Sequence, residues 1–158
     1  TTGGVSVGAE DHVRQAVENV GVLSMWKLAI KPGKPFSFGR IDDKPFFGLP
    51  GNPVAVFVTF VILVRPYLLR MQGATNIQLP SFPVRAGFSV DEAGSRQEFL
   101  RVRLVKEGQE LVAQAFADQG SSVLTSLSWA DGLAIVPIHT TIKVGDTVEY
   151  LPFSGLLS

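Results

Sequence analysis

Three amines and one proline-glycine loop are the residues of this chain best suited to chemistry. Lys27, Lys31 and Lys34 fall within a short segment that also holds Trp26, Pro32, Gly33 and Pro35. Side chains alternate faces along a strand, so Lys27 and Lys31, four positions apart, are expected to point the same way. Three ammonium groups around one turn would seat a polyanion of phosphates or oxyanions. The same spacing also suits a solvated basic edge that blunts a sheet. Further on, Gly48-Leu49-Pro50-Gly51-Asn52-Pro53 packs two prolines and two glycines into six residues. Such a loop is stiff, and its exposed backbone N–H groups suit a small oxyanion.

A second glycine-rich segment, Gly3-Gly4-Val5-Ser6-Val7-Gly8, feeds a helical pattern. Glycines let backbone approach a ligand, and the first turn of a helix offers unpaired N–H groups to phosphate. A tight strand-to-helix connection with no ligand has the same composition, and the segment matches neither the dinucleotide fingerprint nor the P-loop. Asp11, just after it, is placed either to cap the helix or to hold a cation. The Gly-x-Ser-x-Gly spacing around Ser6 would need a downstream histidine as base; His12 is too near in sequence, and His139 lies in the other half of the chain.

These groups need elements to position them. Val13, Ala16, Val17 and Val20 recur at helical spacing over 10–20, and Gly21 is expected to end that helix. Strand-like runs follow at 22–31, 35–41 and 44–49, separated by turn residues. The run from Pro53 to Val64 is twelve residues of almost unbroken apolar character. That falls short of the ~20 residues needed to span a bilayer. Asn52 as N-cap, Pro53 at the first helical position and Gly73 beyond the end predict a helix from about Pro53 to Met71, disturbed at Arg65-Pro66. Helix, strands and helix together predict part of an α/β layer domain over 1–75.

Near residue 75 the texture changes. Pro80 and Pro83 mark a joint, and short apolar runs recur at 82–88, 99–105, 111–115, 133–136 and 147–151. Lys106-Glu107-Gly108-Gln109 reads as a hairpin turn and Gly145-Asp146 as another. The pattern predicts a small all-β sandwich or barrel over 76–158. Arg101 and Arg103 alternate with Val102 and Leu104 and so share one face. Residues 120–132, small, polar and punctuated by glycine, read as ordinary turns.

Composition narrows the possibilities. Across 158 residues, 46% are hydrophobic and 18% charged, enough apolar material for a core. Fourteen Lys plus Arg balance fourteen Asp plus Glu, which argues against a nucleic-acid binder. With no cysteine and two histidines, disulfide scaffolds, thiolate sites and His-rich zinc sites are excluded. The opening residues read as a loop that follows a strand missing from the chain, so the chain is expected to be a C-terminal fragment of a longer protein.

Taken in order, GGVSVG with Asp11, then Trp26-Lys27-Leu28-Ala29-Ile30-Lys31-Pro32-Gly33-Lys34-Pro35, then GLPGNP before an apolar helix, resemble the molybdopterin molybdenumtransferase family, that of MoeA and the E-domain of gephyrin. The resemblance implies part of a MogA-like three-layer α/β domain followed by the family's C-terminal β domain. It implies insertion of molybdate into adenylylated molybdopterin, with release of molybdenum cofactor and AMP and with Mg²⁺ as cofactor. By motif, Asp11 would be the carboxylate near the cation and Lys27 and Lys31 would hold pterin phosphate or molybdate, assisted by Lys34. Pro50, Gly51, Asn52 and Pro53 would shape the molybdate pocket, and Gly3, Gly4 and Ser6 would line the pterin phosphate site. Arg101 and Ser121 carry over from the β domain as substrate-binding residues. A cytoplasmic homodimer without nucleic-acid or membrane partners is implied, and the fragment alone is expected to be inactive. The alternatives are a gephyrin-like scaffold that binds a receptor loop, and a pterin adenylyltransferase-like module.

Overall fold

The computed structural model describes residues 12–156. Helix α1 (His12–Val20) leads directly into strand β1 (Gly21–Lys27). Gly21 thus opens a strand and does not cap the helix. A Cβ there would lie 2.1 Å from the Arg40 carbonyl oxygen, so its small size permits close pairing with the neighbouring strand. That neighbour is β3 (Pro35–Ile41), which pairs antiparallel with β1 and with β4 (Lys44–Gly48) in a three-stranded sheet. Asp42 turns the β3–β4 hairpin with a φ of 52°, a conformation that aspartate tolerates better than most residues.

The single strand expected over 22–31 is broken. After Lys27 the chain leaves the first sheet, the Leu28 N–H donates to the Lys34 carbonyl at 3.1 Å, and Ile30–Lys31 form a separate strand, β2. β2 pairs in parallel with a strand of the other half of the chain, in the register Ile30↔Gln97 and Lys31↔Glu98. Lys27 and Lys31 therefore belong to different sheets, and strict alternation does not relate their side chains.

The apolar run becomes three consecutive helical stretches, α2 (Pro53–Thr59), a π-helical turn (Phe60–Val64) and α3 (Arg65–Met71). Pro66 explains the middle one. It has no N–H to donate, and the chain absorbs the missing bond by widening the preceding turn, where the Arg65 N–H reaches back five residues to the Phe60 carbonyl. Gly73, at φ 87°, terminates the helix as expected. By length and composition alone the 19-residue stretch Pro53–Met71 is long and apolar enough to cross a membrane. Here Val54 and Val58 are fully buried against Phe99, Leu133 and Leu151 of the second half, and Val64 packs with Phe36 of the first sheet and with Leu49 just beyond it.

The second half is a barrel, not a sandwich. Strands β5 (Phe82–Ala86), β6 (Gln97–Glu107), β7 (Glu110–Ala115), β8 (Gly132–Val136) and β9 (Thr147–Pro152) follow the runs read from the sequence. They pair in the circuit β6-β7-β5-β9-β8, and the β6–β8 pairing closes it. Closure leaves no exposed strand edge among the five. Strand alternation then sorts the side chains. Leu100, Val102, Ala134, Val136 and Tyr150 fill the interior, while Phe99, Leu133 and Leu151 turn outward to the helix. Gly108, at φ 63°, forms the β6–β7 hairpin, whereas Gly145-Asp146 turns the chain into β9 after an isolated Val90–Ile142 bridge. Within 120–132 lies an unexpected short helix, α4 (Thr125–Trp129).

One glycine fixes the barrel's packing. A Cβ on Gly132 would sit 2.3 Å from the Tyr150 ring and 2.5 Å from the Leu151 carbonyl oxygen, both on the paired strand. Gly132→Ala is therefore expected to destabilise by about 1–3 kcal/mol, seen as a lower urea midpoint with an unchanged slope. Tyr150 itself donates to Asp131 Oδ1 at 2.7 Å. Burial, and then that bond and the Asp131 charge, push its phenol above the ordinary value. The folded chain keeps this proton at pH values where the unfolded chain has lost it, so the contribution is full below about pH 10 and fades as pH rises further. In denaturant titrations at pH 8 and 11, Tyr150→Phe should lose less stability between the two than the parent.

Candidate functional site

Three separate turns meet in one cleft of about 430 Å³. Lys31 to Pro35 form one wall, Pro50, Gly51, Asn52 and Ala55 a second, and Gln119, Gly120 and Ser121 a third, with Arg96 at the junction. Local sequence explains how each turn is held. Gly33 adopts φ 127°, and a Cβ on it would lie 2.6 Å from the Thr59 methyl, so the Lys31–Lys34 turn lies directly against α2. Asn52 occupies the N-cap position of α2, yet its side chain makes no cap bond. Its Nδ2 instead donates to Ser121 Oγ at 2.8 Å, and the Val54 N–H donates to the Ser121 carbonyl at 3.2 Å. The stiff loop before the helix is thus tied to a loop of the barrel.

That barrel loop is held from behind by Arg101, which is only 1% exposed. Its Nε donates to Ser126 Oγ at 3.0 Å and its Nη2 to the Gly120 carbonyl at 3.1 Å. The Gln119 side chain completes the anchor, accepting from the Arg101 N–H at 2.9 Å and donating to the Arg101 carbonyl at 3.0 Å. Burial draws the Arg101 guanidinium below its ordinary value, and Asp118 acts in the opposite sense. Arg101 does not line the cleft; it shapes the loop that carries Ser121 into it. Arg103 does share its face. It stacks 4.7 Å over the Trp129 ring and donates to the Trp129 carbonyl at 2.9 Å, so both arginines engage α4.

Of the residues singled out in the sequence, Lys31, Lys34, Pro50, Gly51, Asn52 and Ser121 line this cleft together. Pro53 begins α2 beside it, and exposed Lys27, at the end of β1, is not in its lining. Gly3, Gly4, Ser6 and Asp11 lie outside the described residues. Sequence reading missed Arg96 and Glu98. Glu98 is paired with Lys31 at 3.1 Å, and only the β2–β6 register brings these positions together. No Asp or Glu lines the cleft among the described residues, and no group of three or more His, Asp or Glu that could hold a metal occurs among them. The described lining therefore suits an anion and does not by itself fit Mg²⁺.

The chain is similar to known proteins in both sequence and fold. Residues 1–70 match a family model described as a probable molybdopterin binding domain, and residues 83–153 one described as the MoeA C-terminal region (domain IV). The chain is 36% identical over 160 residues to a molybdopterin molybdenumtransferase of Haemophilus influenzae, covering 99% of this chain and 40% of that protein. It is 37% identical to the molybdenum cofactor synthesis protein cinnamon of Drosophila melanogaster, covering 98% of this chain and 26% of the relative. A solved molybdopterin biosynthesis MoeA protein from Pyrococcus horikoshii superposes with a TM-score of 0.70 at 33% identity, covering 90% of this chain and 35% of that one. The chain thus spans 40% or less of the length of these relatives.

The Arg101 anchor gives a direct test. Arg101→Leu strips the Gly120 carbonyl and Ser126 hydroxyl of a buried partner and should cost about 2–5 kcal/mol of stability. Arg101→Lys should recover little of it in the same urea titration, because an ammonium cannot fork between two acceptors as a guanidinium does.

Proposed function

This chain belongs to the MoeA family of molybdenum cofactor biosynthesis proteins, and from that premise we propose that its cleft receives molybdate beside the phosphate of adenylylated molybdopterin during molybdenum insertion. The observation that carries the reading is the convergence of the 31–35, 50–52 and 119–121 turns on a recess lined by Lys31, Lys34 and Arg96 and by no carboxylate among the described residues. Molybdate and the pyrophosphate linkage of the adenylylated pterin are both negatively charged. Bringing them together requires positive groups fixed before the ligands arrive, since a preorganised charge costs no rearrangement during the reaction.

The parts divide the work. Lys31 and Lys34 offset the charge of the oxyanion and of the phosphate. The proline-braced Pro50–Asn52 turn keeps backbone and amide groups in place against Ser121; one water adds across the phosphoanhydride, so that AMP leaves and the pterin keeps its phosphate, and molybdate passes to the pterin. A scaffold that binds a receptor loop has no need of this cationic recess. Mg²⁺, a homodimer and a cytoplasmic location belong to the same proposal and rest on the family resemblance. Mg²⁺ rests on it through Asp11.

Lys34→Ala in the full-length protein is expected to raise the KM for molybdate by about tenfold or more, the worth of one charge-assisted contact, while leaving thermal stability within a degree or two. Lys31→Ala should act in the same direction. If both variants turned over molybdate with unaltered kinetics, the cleft would not be the molybdate site.

A further inference from the structure

Lys31 stands at a wall between two hollows of opposite character. It lines the cleft, and it also lines a neighbouring recess of about 590 Å³ to which Asp91, Glu92 and Glu98 contribute. None of those three carboxylates lines the cleft itself. Of the three, only Glu98 pairs with Lys31 among the described residues, its Oε1 and Oε2 each 3.1 Å from the ammonium nitrogen. An ammonium carries three donors, and one carboxylate engages at most two of them. Lys31 therefore keeps capacity for a further acceptor on the cleft side.

The carboxylate is held more firmly than the amine. The Glu98 side chain is 16% exposed, against 48% for that of Lys31. Its backbone lies between two strands, opposite Val136 of β8 and Lys31 of β2. The next residue, Phe99, is 1% exposed in the seam with the helix. Gly94 closes on the carboxylate from the segment before β6, since a Cβ there would lie 3.3 Å from Glu98 Oε1. The Gly94 carbonyl in turn accepts from the His139 N–H at 2.8 Å. Lys31 has only a flexible four-carbon stem. The fixed partner thus sets where the flexible one rests.

A pair built this way has two effects of opposite sign on an anion in the cleft. The carboxylate holds the ammonium at the wall before the ligand arrives, which spares the cost of ordering a long side chain. It also offsets part of the positive charge that the ligand meets. We infer that Glu98 is a positioning residue of the molybdate site, holding Lys31 at the wall of the cleft and tempering its charge, so that the oxyanion enters against a resident counterion. This inference rests on the cleft being the molybdate site. An amine without that counterion would hold the entering oxyanion more tightly, and affinity that is equal in the ground and transition states lowers KM without raising kcat. Glu98 removes this excess affinity and keeps the amine in place.

The test uses the full-length protein with molybdate as substrate and sulfate as competing tetrahedral anion. Glu98→Gln keeps a neutral acceptor of the same length for the ammonium and removes the charge, whereas Glu98→Ala removes both. The expected result for Glu98→Gln is a molybdate KM about threefold lower than the parent's, the scale of a partly exposed ion pair, with kcat changed by less than about twofold and sulfate inhibition strengthened in parallel. Glu98→Ala should give a higher KM than Glu98→Gln, because the amine is no longer held. In a Lys31→Ala background the Gln substitution should leave KM within about 1.5-fold, since its effect passes through the amine. Arg40→Ala, whose guanidinium pairs with Asp43 in the β3–β4 hairpin outside the cleft, should match the parent. An unchanged or raised KM for Glu98→Gln, while Lys34→Ala is impaired, overturns the inference and leaves the cleft reading standing. If Lys34→Ala is unimpaired as well, both fall. An equal drop in KM in the Lys31→Ala background means that the carboxylate repels the anion directly, and overturns the role assigned through Lys31. Equal KM values for Glu98→Gln and Glu98→Ala overturn the positioning. Should Glu98→Gln lose its native circular dichroism, Glu98→Asn carries the same comparisons.

Discussion

The seam between the apolar helix and the barrel is the constraint from which the site follows. Val54 and Val58 on one side and Phe99, Leu133 and Leu151 on the other are almost wholly withdrawn from solvent. Five such side chains contribute roughly 1.5–3 kcal/mol each when fully buried. Against that background the polar ties at its edge, Asn52 to Ser121 and Val54 to Ser121, need only set direction. The hydrophobic contact brings two parts of the chain together, and the hydrogen bonds choose the register in which their loops meet.

A second lesson concerns how charge is distributed. Lys31, Lys34, Asp91, Glu92, Arg96 and Glu98 crowd the junction of β2 and β6, yet among the described residues only Lys31 and Glu98 of these pair with each other. A partly exposed pair of this kind is worth little to stability. Its effect is to cancel one positive charge locally, and so to shift the attraction for anions toward residues whose counterions are absent. A count of lysines in a motif measures potential charge; neighbours decide how much of it a ligand meets.

Much of this was legible in the sequence because the signals are local. Strand runs bounded by turn residues gave the five barrel strands within a few positions, and the proline-braced loop before an apolar run announced the start of α2. Pro66 announced a disturbance, although not that it would be a widened turn. What stayed hidden depends on pairings far apart in the chain. Ile30–Lys31 looked continuous with β1 because nothing local reveals a parallel partner 67 residues away. Arg101 stands among the substrate-binding residues through the family resemblance alone, because alternation gives its face and says nothing of the loop that covers it. The short helix α4 was concealed by serines, which favour turns as readily as helices. Arg96 carries no motif at all, and only the β2–β6 register puts it beside the lysine turn.

The widened turn at Phe60–Val64 also has a mechanical meaning. An α-helix rotates roughly 100° per residue, so one extra residue in a turn holds back its rotation by about that much. Beyond this point Tyr67 meets Phe38 and Phe47 edge-on, at ring separations of 5.6 and 5.1 Å. The rod therefore works as a shaft with a built-in phase offset: its leading part is keyed to the barrel, its trailing part to the small sheet. Evolution can exchange one aliphatic side chain for another along this shaft with little consequence. Adding or removing a single position would rotate everything downstream out of mesh.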